Sequence, residues 1–112
     1  MIPNPEKPLK FENLIKKAGW IYRRSDNLHM WRKRYYELDN NIFRLGEDES
    51  FKDVRVINLA EYDVKWLNKL DKRFAICFTA KTKNVKGQYN IGDENEAVMK
   101  ELYEKVMLAL VN

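Results

Sequence analysis

The sequence predicts a mostly β protein, a seven-stranded antiparallel barrel or sandwich capped by one C-terminal amphipathic helix. Two observations predict it. From residue 19 to residue 91, short runs of strand-forming residues recur about every 8–13 residues, separated by turn-forming clusters. After residue 93 the apolar period lengthens from two to nearly four, the change from strand to helix. A length of 112 residues suits one domain, and 45% hydrophobic residues suffice for a core.

Pro3, Pro5 and Pro8 predict an extended lead-in over residues 1–13, with the folded domain spanning 14–112. "GWIYRR" (19–24) and "WRKRYYEL" (31–38) are the first two strands, and Asp39-Asn40-Asn41 turns the chain after them. "NIFRL" runs into Gly46 and an acidic loop. "VRVINL" and "YDVKWL" alternate, and "NKLDK" ends the latter. "RFAICFTA" sets Phe74, Ile76 and Phe78 on one face and Ala75, Cys77 and Thr79 on the other. "VKGQYNI" is the last strand. Asp93 followed by Glu96 has the spacing of a capping box. Val98, Leu102, Val106 and Leu110 then form an apolar helical stripe, with Met99, Tyr103 and Met107 beside it. Trp20, Trp66, Phe74, Ile76 and Phe78 are the expected core, and Trp31 suits either core or rim.

The net charge of +4 is unevenly distributed. Residues 14–34 hold seven cations against Asp26 alone, and residues 65–91 hold seven against Asp71 alone. The segments 35–64 and 92–112 are acidic. Two basic blocks that met in the fold would polarise the molecule. No apolar run approaches the roughly 20 residues of a membrane span. The N-terminus shows neither an apolar signal core nor the glycine after Met1 that a myristoylation signal needs, and the single Cys77 suggests a reducing compartment, so a cytoplasmic location, peripheral at a membrane surface, is expected. A single Cys77 and a single His29 exclude an internal disulfide and a Cys/His metal cluster. No nucleophile–base set or phosphate-binding glycine loop is present, so neither enzyme activity nor a cofactor is expected.

Gly19-Trp20-Ile21, with Trp31-Arg32-Lys33-Arg34-Tyr35-Tyr36-Glu37-Leu38, resembles the opening hairpin of pleckstrin homology domains. "RVINL" and "RFAICF" are similar to that family's fourth and sixth strands, and the resemblance covers roughly residues 14–111. It implies a pleckstrin homology barrel whose helix plugs the core with an aromatic residue, here Tyr103. It also implies a phosphoinositide pattern across the first two strands, which Arg23, Arg32 and Arg34 fit. Arg23 replaces the family's usual Lys. Arg44 stands where the third strand often supplies a Tyr, adding a cation to the expected site. Residues two apart share a strand face, so Arg32 and Arg34 point together and Lys33 points away. Paired guanidinium donors match phosphate oxygens. Arg24, Lys81, Lys83 and Lys86 complete the expected basic rim, and Leu28 and Met30 are expected to enter the membrane interface.

The implied function is peripheral membrane targeting, through anionic headgroups such as phosphoinositides or phosphatidic acid, by a monomer that binds no nucleic acid. The alternative is a protein-interaction module for a peptide or a small GTPase, for which Glu47, Asp48 and Glu49 offer an acidic surface. The Lys- and Asn-rich, Ala-poor composition is similar to that of apicomplexan parasite proteins. These include an acylated member of the family that senses phosphatidic acid.

Overall fold

The computed structural model describes residues 15–25, 29–85 and 87–111. The expected lead-in over residues 1–13, Leu28 and Lys86 lie outside the described residues. Seven strands alternate in sequence as the pattern requires: β1 (Lys16–Arg24), β2 (Trp31–Asp39), β3 (Ile42–Gly46), β4 (Arg55–Asn58), β5 (Tyr62–Leu70), β6 (Arg73–Ala80) and β7 (Gln88–Asp93). They form one sheet in the order β4-β3-β2-β1-β7-β6-β5, with antiparallel pairing throughout. A 3-10 turn, Leu59–Glu61, joins β4 to β5, and helix α1 (Glu96–Val111) closes the chain.

Alternation decides which side chains turn inward. Ile21 on β1, Tyr36 and Leu38 on β2, and Phe43 and Leu45 on β3 lie on one face and are all buried. Ile76 and Phe78 on β6 meet them from the far side of the sheet, with Phe43 and Phe78 rings 5.3 Å apart. Each such side chain contributes about 1.5–3 kcal/mol by leaving water. The opposite face of β6 is covered too: Ala75 and Cys77 are buried. One cover is Trp31. A Cβ on Gly92 would stand 3.1 Å from its ring and 2.8 Å from the Phe74 carbonyl oxygen, so only glycine admits this approach.

The helix differs from expectation at its cap and in its register. Asn95 is the capping residue: its Oδ1 accepts a hydrogen bond from the Val98 amide at 3.2 Å. Asp93 instead accepts from the Asn95 amide at 2.8 Å, one step before the helix begins. The buried stripe is Met99, Leu102, Val106 and Ala109. Val98 is exposed, and Tyr103 is only half-buried, 5.4 Å from the Trp66 ring. The aromatic plug expected at Tyr103 is therefore absent from the core; Leu102, fully buried, points inward there. Trp20 departs in the same way. It is 42% exposed, packed edge-on against Tyr35 on the outer face.

The pairing registers place three loops at one end of the sheet. Arg24 lies opposite both Trp31 and Asn90, so the β1–β2 and β6–β7 loops leave together. Gly46 lies opposite Tyr35, which brings the β3–β4 loop to the same end.

Candidate functional site

The first hairpin carries its cations on both faces, and the two faces have different surroundings. On the inner face Arg23 stands opposite Arg32, and Arg34 opposite Ile21. Arg23 and Arg34, together with Leu45, Glu47, Asp53 and Arg55, line a cavity of about 190 Å³ at the loop end. Leu45 lines it from β3, the start of β4 supplies Arg55, and the β3–β4 loop supplies both carboxylates. The Arg23 guanidinium lies 5.1 Å from the Tyr89 ring centroid. Its Nε is buried with no hydrogen-bond partner among the described residues. Arg34 donates through one Nη to the Lys33 carbonyl at 2.8 Å. The ion pairs among the described residues join other groups, so the three guanidinium groups of the cavity keep their charge uncompensated at contact distance.

The β3–β4 loop is fixed by local geometry. The Glu47 amide donates to the Lys52 carbonyl at 3.0 Å. Asp48 accepts from both the Ser50 amide, at 2.9 Å, and its hydroxyl, at 2.6 Å, and these bonds hold its carboxyl below the usual carboxylate range. Phe51 adopts φ +58° and Asp53 φ +53°, a region most side chains avoid. Phe51 is kept there by its edge contact with Tyr35, 5.6 Å between centroids, and by close approach to Gly46, where a Cβ would stand 2.7 Å from the Phe51 Cα.

On the outer face Arg24 donates its Nε to Asp71 at 2.7 Å. The Trp31 indole donates to the same carboxylate oxygen at 3.3 Å. Asp71 and Lys72 form a two-residue turn between β5 and β6, both with positive φ, 53° and 70°, as the primed hairpin turns demand. The hydrogen bond from Arg24 is the main reason the Asp71 carboxyl titrates below its ordinary value. Arg73, next along, places its guanidinium 4.9 Å from the Tyr22 ring centroid and 5.0 Å from that of Trp31. Lys33 stands 5.3 Å from the Trp20 ring centroid.

No family model matches the sequence, and no curated protein matches it. Solved structures do. The pleckstrin homology domain of human pleckstrin homology domain-containing family A member 5 superposes with a TM-score of 0.68 at 18% identity, over 99% of this chain and 84% of that one.

The fold is the pleckstrin homology fold.

A Slm1 pleckstrin homology domain solved with inositol 4-phosphate matches at TM-score 0.60 and 24% identity, over 82% of this chain and 93% of that one. An activated truncation of Vav1 matches at TM-score 0.69 and 13% identity. The match covers 86% of this chain, which spans only 26% of the Vav1 chain. Nothing among these matches supports the narrower likeness to an acylated apicomplexan protein.

Within the pleckstrin homology fold the expected rim residues divide. Arg23 and Arg34 meet in the cavity, and Arg32 is exposed on the same face beside them. Lys81 and Lys83 are exposed on the β6–β7 loop at the same end, and Met30 is 48% exposed at the hairpin loop. Arg24 belongs to the outer face. Arg44 needs correction: it lies opposite Glu37 on the outer face and pairs with that carboxylate at 3.0 Å, away from the cavity. Strand parity causes this, since Leu45, its neighbour, is the β3 residue that turns inward. Three lining residues were missed from sequence: Arg55, Glu47 and Asp53. The acidic run was visible, but nothing local indicated that its loop folds back over the first hairpin. Among the described residues no cluster of His, Cys, Asp and Glu could hold a metal ion, and no helix is long and apolar enough to cross a membrane.

Proposed function

We propose that this domain is a peripheral membrane module that binds anionic phospholipid headgroups at the loop end of the sheet. One observation carries the reading: Arg23, Arg34 and Arg55 converge on a single cavity, and none of them is in a salt bridge among the described residues. Arg32, Lys81 and Lys83 surround that end and would hold the domain against an anionic surface. Each cation near such a surface contributes about 1 kcal/mol, screened within a Debye length. The Slm1 domain's complexes with inositol 4-phosphate and with phosphoserine support phosphate recognition on this fold. Met30, exposed at the same end, would enter the interface; its amide donates to Ser25 Oγ at 3.1 Å. A cytoplasmic location and a non-enzymatic role are part of this proposal.

Co-sedimentation with vesicles tests it. The expected result is binding to anionic vesicles and none to neutral phosphatidylcholine vesicles, weakening as salt is raised. Equal recovery with neutral and anionic vesicles would overturn the reading.

A further inference from the structure

The cavity holds acids as well as bases, and that combination constrains its ligand. Glu47 and Asp53 line it together with Arg23, Arg34 and Arg55. Both carboxylates are solvent-exposed, and the β3–β4 loop, whose backbone is set by the close approach of Phe51 to Gly46, brings them to the cavity. A pocket built for several phosphates would gain nothing from two carboxylates, since each phosphomonoester brings about −1.5 to −2 charge at neutral pH. The space is small as well: about 190 Å³ against the roughly 300 Å³ at which drug-sized ligand sites begin, which suits a small headgroup.

We infer that the cavity recognises a zwitterionic headgroup with net charge −1, the phosphodiester-linked serine of a phospholipid. This deepens the membrane-binding reading and rests on it. The headgroup has two anionic groups, phosphodiester and carboxylate, and one ammonium. The cavity has three guanidinium groups and two carboxylates. Phosphate and carboxylate each find an arginine fork, and the ammonium finds Glu47 and Asp53. An ethanolamine headgroup lacks the second anion. A choline headgroup has no N–H to donate. Phosphatidic acid lacks the ammonium and leaves both carboxylates facing an anion.

The test is a vesicle panel at matched total surface charge in a phosphatidylcholine background. It compares phosphatidylserine, phosphatidic acid and an inositol lipid carrying two phosphomonoesters. Soluble glycerophosphoserine and a phosphoserine peptide are titrated separately by NMR. The expected result is about tenfold tighter binding to phosphatidylserine vesicles, with glycerophosphoserine shifting the signals of Arg23, Arg34 and Arg55. Glu47→Gln with Asp53→Asn should remove that preference and raise binding to the inositol lipid, because both changes are nearly isosteric and delete only charge. Equal binding to all anionic vesicles, or a parent preference for the doubly phosphorylated lipid, overturns this inference while membrane binding stands. Binding the phosphopeptide but no vesicle overturns both. So does binding no anionic vesicle.

Discussion

On the inner face of the β1–β2 hairpin, Arg23 and Arg34 line a cavity without an ion-pair partner among the described residues. On the outer face, one residue along, Arg24 is bonded to Asp71 at 2.7 Å and Lys33 stands over Trp20. Arg73, from a distant turn, inserts between Tyr22 and Trp31 on that same side. The two faces carry similar cations in one nine-residue strand pair, yet among the described residues Arg24 is ion-paired while Arg23 and Arg34 are not. Arg24 and Arg73 form a brace. It ties the β5–β6 turn to the hairpin, and with it fixes the Trp31 ring over Gly92. The difference teaches that a cation's partners, more than its presence, separate a binding group from a structural one.

The largest expected effect comes from breaking the inner set. Arg23→Gln with Arg34→Gln keeps much of each stem and removes two charges. Charge-assisted hydrogen bonds contribute about 1.5–3 kcal/mol each, so affinity for anionic vesicles should fall about a hundredfold or more. The melting temperature should stay close to that of the parent. Arg44→Ala, whose partner is Glu37 on the outer face, is the matched control and should bind as the parent does. A loss of binding in the control, or none in the double variant, would show that the two faces do not differ as described.

Arg73→Ala is expected to have the reverse signature. It deletes two cation–π contacts, each about 0.5–1 kcal/mol at partly exposed sites. Thermal melts should shift down by about 3–8 °C for a chain of this size, with vesicle affinity retained. Unchanged melting together with weakened binding would move Arg73 from the brace to the site.

The smallest effect is on acid stability. The Asp71 carboxyl is depressed chiefly by its hydrogen bond from Arg24, so its contribution is present above the unfolded-state value, about 3.9. That contribution fades as pH falls through the lower folded-state value. Arg24→Ala should remove this part of the pH dependence. Parent and variant melting temperatures should then differ slightly at neutral pH and converge in strong acid. Parallel curves across the whole range would mean that the pair adds nothing measurable, as many exposed ion pairs do not.

By itself the sequence determined the strand succession, the antiparallel sheet, the closing helix and the alternation that turns Arg32 and Arg34 to one face and Lys33 to the other. Those features depend on local periodicity, which is written in neighbouring residues. It could not determine which half-buried aromatics enter the core. Trp20 and Tyr103 have the composition of core residues, and only packing against Tyr35 and Trp66 shows them at the edge. Nor could it pair Arg24 with Asp71, 47 residues away, or bring Glu47 and Asp53 opposite Arg23. Those meetings depend on loop closure across the sheet: Gly46 lets Phe51 fold back, and two positive-φ residues aim Asp71. Charge attracts at contact distance, and contact between distant segments is set by the tertiary structure, so the character of the cavity was decided there.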